Sequence, residues 1–210
     1  PQLHAATLRN RGRPFVKSQA APQPLLSVVV PCYDEADGIA ELYKRLKAVC
    51  VQAKAQHEIV LIHDGSKDAT WSEIQKLCDA DACVTGVNLA RNYGHQLALT
   101  AGLTVCAGER ILIIDADLQD PPELLPAMME RMDQGCDVVY GQRITRAGET
   151  WFKKTTASFF YRLLDKLIDI RIPLDTGDFR LMSRRALNVL MSMPEQHRFI
   201  RGMVSWIGFR

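Results

Sequence analysis

Arg110-Ile111-Leu112-Ile113-Ile114-Asp115-Ala116-Asp117-Leu118-Gln119-Asp120-Pro121-Pro122 is the stretch whose reading decides the fold of this chain. A short Ile-rich apolar run reads as a buried strand. It ends in two carboxylates one residue apart. Side chains alternate along a strand, so Asp115 and Asp117 point the same way if the extension persists to its end. Two such carboxylates repel each other unless a cation lies between them. A divalent metal that also takes phosphate oxygens suits that position. Pro121-Pro122-Glu123 then opens a helix, with proline in its first turn and an acid near its positive end. An isolated Asp-x-Asp is as readily a cap or a turn. A place at the carboxyl end of a strand raises its functional weight, because ligands bind there in open α/β sheets.

The same arrangement recurs along the chain. Leu25-Leu26-Ser27-Val28-Val29-Val30 reads as a strand that Pro31 ends, followed by the polar turn Pro31-Cys32-Tyr33-Asp34-Glu35-Ala36. A helix with Ile39, Leu42, Leu46 and Val49 on one face follows. Glu58-Ile59-Val60-Leu61-Ile62 is the next strand and runs into His63-Asp64-Gly65-Ser66. A helix to about residue 81 leads to a strand over 82–89, the turn Arg91-Asn92-Tyr93-Gly94-His95, and a helix over 96–106. The opening strand, a helix over 122–134 and a strand over 137–140 complete the series. Strand–helix alternation with short connections predicts an α/β fold, a mostly parallel sheet flanked by helices. In such a sheet all the polar turns lie along one edge and form one cleft. Neither G-x-G-x-x-G nor G-x-x-x-x-G-K-[ST] occurs, so phosphate must be held by metal and side chains rather than by a glycine cradle.

Length and composition bound the answer. The 210 residues fit one large domain or a domain with an appendage, and 47% hydrophobic with 24% charged residues is ordinary globular composition. A net charge of +2 gives no nucleic-acid signal. Arg9, Arg11, Arg13 and Lys17 stand among the first 20 residues without an acid, and 1–24 reads as a disordered or peripheral basic arm. Residues 25–145 are the expected α/β core. Residues 146–210 change character: Trp151, Phe152, Phe159, Phe160, Leu163, Leu164 and Leu167 recur at helical spacing with Lys153, Lys154, Arg162 and Lys166 between them. They predict a C-terminal amphipathic helical extension that packs on the core or lies at a membrane surface. Asp178 falls in an expected turn before a short strand and a helix start. Cys32, Cys50, Cys78, Cys83, Cys106 and Cys136 show no metal-ligand spacing, which suggests a reducing compartment. No apolar run approaches the ~20 residues of a membrane span.

Taken together these motifs resemble family 2 glycosyltransferases of the Rossmann-like GT-A fold. Pro31-Cys32-Tyr33-Asp34-Glu35 is similar to that family's P-x-Y-N-E turn, His63-Asp64-Gly65-Ser66 to its D-D-G-S, and Asp115-Ala116-Asp117-Leu118-Gln119 to its D-x-D. Arg91-Asn92-Tyr93-Gly94, Gly177-Asp178-Phe179-Arg180-Leu181-Met182-Ser183-Arg184 and Gly202-Met203-Val204-Ser205-Trp206-Ile207-Gly208 narrow the match. They resemble polyisoprenyl-phosphate glycosyltransferases, above all bactoprenol glucosyltransferases of the GtrB type. The likeness covers residues 25–210. His63 stands where the family has an Asp, and Asp34 where it has Asn. The family's C-terminal pair of transmembrane helices does not occur in this sequence, which reads as a trimmed catalytic domain.

The resemblance implies a nucleotide-sugar donor, most naturally UDP-glucose, and a polyprenyl (undecaprenyl) phosphate acceptor. GDP-mannose, UDP-aminoarabinose and UDP-GlcNAc are alternative donors, and a non-catalytic nucleotide-sugar-binding domain is the alternative class. Pro31, Tyr33, Glu35, Asp64, Arg91, Asp115 and Ala116 are expected on the donor, and Asp115, Asp117 and Gln119 on Mg²⁺ or Mn²⁺. Arg143, Lys153 and Lys154 are expected on the acceptor phosphate, and Asp178, as base or orienter, with Arg143 and Asp117 at the reaction centre. The expected setting is the cytoplasmic face of the inner membrane, with the membrane surface as a partner and no nucleic acid. A homo-oligomer is compatible with all of this.

Overall fold

The computed structural model describes residues 5–7, 24–142 and 176–210. Arg143, Lys153, Lys154 and the amphipathic segment over 149–170 lie outside the described residues. Among the described residues seven strands form one sheet in the order β1-β4-β3-β2-β5-β7-β6. The parallel centre is β2 (Leu26–Cys32), β3 (His57–His63), β4 (Val84–Leu89) and β5 (Arg110–Ile113). β1 (Ala5–Thr7) pairs antiparallel with β4 at one end. At the other end β7 (Thr176–Ser183) runs antiparallel between β5 and β6 (Val138–Gln142).

The strands read as apolar runs because both faces are covered. All seven residues of β2 are buried, as are the last five of β3. Val28 and Val30 face one layer, made by α1 (Ile39–Gln52), α2 (Thr70–Ala80) and α4 (Leu125–Asp133). Val29 faces the other, made by α3 (His95–Val105), α5 (Arg184–Ser192) and α6 (Ile200–Trp206). α3 is the most apolar helix, with Ala98 to Leu103 all buried. It lies so close to the sheet that a Cβ on Gly102 would stand 2.5 Å from Ile62 and Val29 side-chain carbons.

From β2 the chain winds outward through β3 to β4, then returns to place β5 on the opposite side of β2. That reversal opens a crevice at the carboxyl ends of β2 and β5, the switch point where such sheets bind ligands. Three local details differ from the sequence expectation. β5 stops at Ile113, so Asp115 and Asp117 sit in the turn that follows it rather than in the strand. The helix expected from residue 122 begins as a 3₁₀ turn, Pro122–Leu124, before α4 takes over. Residues 176–183 are not a turn and short strand but an eight-residue strand inside the sheet. Sequence periodicity does not show that this C-terminal segment completes the core. Among the described residues no helix is long and apolar enough to cross a membrane.

The close seat of α3 gives a direct test. Gly102→Val forces methyl groups into β2 and β3 and should cost about 1–3 kcal/mol in urea denaturation; an unchanged midpoint would contradict the packing.

Candidate active site

The crevice is a cleft of about 290 Å³ lined by the turns after all four parallel strands. β2 contributes Pro31, Cys32, Tyr33 and Glu35; β3 contributes Asp64; the turn after β4 contributes Asn92, Gly94 and His95; β5 contributes Asp115, Ala116 and Asp117. Burial pushes the Cys32 thiol far up, so it serves as a neutral, apolar piece of the floor. Tyr33 is 41% exposed at the mouth, its ring open to a planar group.

The turns hold one another in place. Asp34 adopts φ 53°, a left-handed conformation that Asn and Asp tolerate. Its N–H donates to Ser66 Oγ (3.0 Å), and its Oδ1 accepts from the Lys67 N–H (2.8 Å). The Glu35 N–H donates to Thr70 Oγ1 (2.9 Å). Gly65 has φ 65°, and a Cβ there would collide with the backbone of Arg91 and Asn92. Asp64 is buried, and its two oxygens accept from the Tyr93 and Gly94 N–H groups at 2.7 and 2.9 Å. Each oxygen keeps a second lone pair. His63 points away from the cleft. Its Nε2 accepts from the Ser66 N–H (3.0 Å), which leaves Nδ1 to donate to Asn88 Oδ1 (2.7 Å). The residue that departs from the family pattern therefore braces the turn from behind.

One wall of the cleft is acidic. Desolvation raises the Glu35 carboxyl, and the negative charges of Asp117, Asp68, Asp115 and Asp34 raise it further. Burial raises Asp115 above its ordinary value; His95 opposes this, while Asp178, Asp117 and Asp120 add to it. Asp115 Oδ1 is buried and has no hydrogen-bond partner among the described residues. Leaving a buried acceptor unmade costs roughly 1–3 kcal/mol. Among the described residues no three His, Cys, Asp or Glu side chains converge as a complete metal cage. The orphaned oxygen of Asp115 with nearby Asp117 fits a Mg²⁺- or Mn²⁺-type ion bound by one or two carboxylates, with substrate phosphates filling the rest.

Behind this wall lies a residue that the sequence reading missed. His95, first residue of α3, places Nε2 3.0 Å from Asp178 Oδ2 and 3.6 Å from Asp115 Oδ1. Its only sequence signal was its place at the end of the Asn92-Tyr93-Gly94 turn. Asp178 is buried in β7, with Oδ1 accepting from Arg180 Nη2 (2.9 Å) and Oδ2 also from Gln96 Nε2 (3.2 Å). Burial pushes its carboxyl up, but the His95 hydrogen bond and the charges of Arg180, His95 and Arg201 outweigh it and hold it low. His95 is raised, first by its bond to Asp178 and then by Asp115, Asp178 and Asp64 against its partial burial. The two form an imidazolium–carboxylate pair.

Of the donor-side residues expected from sequence, Pro31, Tyr33, Glu35, Asp64, Asp115 and Ala116 meet in the cleft. Arg91 stands apart from the lining, with its guanidinium over the Tyr93 ring at 4.2 Å. Gln119 is exposed beyond Asp117, whose Oδ1 accepts its N–H (3.0 Å).

The chain matches glycosyl transferase family 2 over residues 27–191. It belongs to that family. It is 48% identical over 184 residues to the uncharacterized glycosyltransferase YkcC of Bacillus subtilis, covering 88% of this chain and 57% of the relative. It is 40% identical over 183 residues to the prophage bactoprenol glucosyl transferase homolog of Escherichia coli, covering 87% and 60%. The chain thus spans somewhat over half the length of these curated relatives. A mannosyltransferase from Pyrobaculum calidifontis, solved with GDP-Man and Mn²⁺, superposes with a TM-score of 0.63 at 21% identity, over 95% of this chain and 57% of that one. This family 2 chain has the GT-A fold that its sequence motifs imply.

Two outcomes follow for the metal-free protein. Asp115→Asn removes a destabilising charge and should raise the melting temperature by about 2–4 °C for each ~1 kcal/mol gained at pH 7, while abolishing stabilisation by Mn²⁺ with UDP. A lower melting point would overturn the strained-carboxylate reading. The His95–Asp178 pair is at full strength above the ordinary carboxyl value of 3.8 and below the ordinary imidazole value of 6.5. Its contribution is lost as pH rises through the raised His95 value, or falls through the lowered Asp178 value. The stability gap between the wild type and His95→Gln should therefore be widest in that window and narrow toward pH 9.

Proposed function

We propose that this chain is the catalytic domain of a metal-dependent, inverting hexosyltransferase that moves glucose from UDP-glucose onto a polyprenyl phosphate. The observation that carries the reading is the buried Asp115 Oδ1, which among the described residues accepts no hydrogen bond and has His95 Nε2 at 3.6 Å, beside Asp117 at the switch point of a family 2 GT-A sheet. The 40% identity to a bactoprenol glucosyl transferase homolog supports the lipid acceptor.

The base of the donor stacks on Tyr33, and the free lone pairs of Asp64 accept from the uracil N–H. Arg91, stacked on Tyr93 just outside the lining, is assigned to the nucleotide by the family resemblance and not by the cleft. Asp115 and Asp117, with Gln119, would hold Mg²⁺ or Mn²⁺. That ion supplies Lewis-acid neutralisation of the leaving diphosphate. Glu35, in the same turn as Tyr33, completes the nucleotide side of the cleft.

The nucleophile is an oxygen of the acceptor phosphate. A phosphate monoester has a second pKa near ~6 and is largely dianionic at neutral pH, so no strong base is needed. Asp178 is correspondingly unsuited to be one: it is held low and is engaged by three donors. Its role is to orient His95. Arg143, Lys153 and Lys154 clamp the acceptor phosphate against the repulsion of the diphosphate. Attack opposite the leaving group inverts the anomeric centre. The setting is the cytoplasmic face of the inner membrane. Exposed Phe199 (54%) and Trp206 (62%) near Arg201 and Arg210 support contact with lipid headgroups.

The test is transfer of radiolabelled sugar to undecaprenyl phosphate from UDP-glucose, GDP-mannose, UDP-GlcNAc and the aminoarabinose donor. UDP-glucose should give the product, EDTA should stop it, and Asp117→Ala should lower the rate by ~10³-fold or more with an unchanged melting point. Metal-independent transfer, or none from any donor, would refute the proposal.

A further inference from the structure

Two arginines adjoin Asp178. Arg180 is fully buried in β7, with Nε and Nη2 bonded to the Asp178 and Gly177 carbonyls and to Asp178 Oδ1. Its Nη1 is buried without a partner among the described residues. Arg201, on α6, brings Nε to 4.0 Å from Asp178 Oδ1, just beyond hydrogen-bond reach. That Nε is also buried and unpartnered among the described residues, although the side chain is 30% exposed. Gln96 ties the three elements together: its Nε2 donates to Asp178 and its Oε1 accepts from the Ile200 N–H (3.0 Å). Two guanidinium groups thus adjoin one carboxylate already satisfied by His95, Gln96 and Arg180. The donors left unused among the described residues are guanidinium N–H groups, whose fork matches phosphate oxygens.

We infer that Arg201, backed by the buried Arg180, is a seat for the phosphate monoester of the acceptor, beside Asp178 at the start of α6. This deepens the proposed function and rests on it for the identity of the acceptor. Among the described residues Arg180 Nη1 and Arg201 Nε donate no hydrogen bond. A phosphate oxygen at Arg201 would take up such a donor next to Asp178, which holds the His95 that lines the cleft. Asp178 keeps the two arginines from repelling each other before the phosphate arrives. Arg201 is a binding residue, distinct from Arg143, Lys153 and Lys154.

The experiment measures calorimetric binding of farnesyl phosphate, farnesol and UDP-glucose with Mn²⁺ to wild type, Arg201→Ala and Arg201→Lys, with melting points as the folding control. Wild type should prefer farnesyl phosphate to farnesol. Arg201→Ala should lose that preference by about 10-fold or more, Arg201→Lys should keep part of it, and UDP-glucose affinity should be unchanged in both. If Arg201→Ala, or a less disruptive Arg201→Gln should Ala unfold the chain, retains the full phosphate preference, the inference falls. If it weakens UDP-glucose equally, the seat belongs to the donor's diphosphate and the inference also falls. If phosphate binding depends on Arg201 but no sugar is transferred to the lipid, the seat stands and the proposed function fails.

Discussion

The Asp178–Arg180 ion pair lies inside the sheet, and the site is built around it. A buried ion pair is stabilising only where further hydrogen bonds meet its remaining donors and acceptors. Here such bonds come from His95 and Gln96 at the start of α3 and from the carbonyls of β7 itself, and the Arg180 guanidinium also lies over the Tyr140 ring of β6 at 5.3 Å; Arg180 Nη1 alone of its nitrogens has no partner among the described residues. β7 therefore does more than widen the sheet. By running antiparallel beside β5 it sets a carboxylate of the C-terminal segment behind the Asp115 turn. Gln96 then couples that point to the first residue of α6.

A second consequence is that the cleft is stabilised by its scaffold and destabilised by its own charges. The backbone of the turns is well satisfied: Asp64 takes two amides, while Asp34, Ser66, Thr70 and Asp68 exchange bonds between neighbouring turns. The side chains are not. Glu35 and Asp115 are both driven upward, chiefly by burial and then by neighbouring carboxylates, Asp117 among them in each case. Strain of this kind at a functional position, held by a rigid surround, is the usual relation between stability and activity. It is also why the metal-free protein and the loaded enzyme should respond in opposite senses to neutralising one carboxylate.

The alternation of apolar runs and amphipathic helices, and the polar turn closing each strand, were legible residue by residue. β2 and β3 are buried on both faces, so their sequences had to be continuously apolar. Helices α1, α2 and α4 cover one face only, so Ile39, Leu42, Leu46 and Val49 recur at helical spacing. Asp115 and Asp117 were legible as a pair because chemistry near a strand end is local. His95 was not, because nothing adjacent in sequence distinguishes a helix-start histidine from a solvated one. Its meaning comes from Asp178, 83 residues away. Asp178 reads from sequence as a turn residue, because the strand around it is short in apolar pattern and holds a buried arginine.

The sequence alone determined the elements of the parallel core, the direction of its strands and the loops that carry chemistry, because periodicity and turn residues report which faces are covered; it did not show β1 or the full length of β7. Tertiary structure alone decided three things. It chose β2 and β5 as the switch point, inserted β7 between β5 and β6, and joined His95, Asp178, Arg180 and Arg201. These depend on which distant segments share a layer and on where buried charges find partners. Neither is encoded in the spacing of residues along a single element.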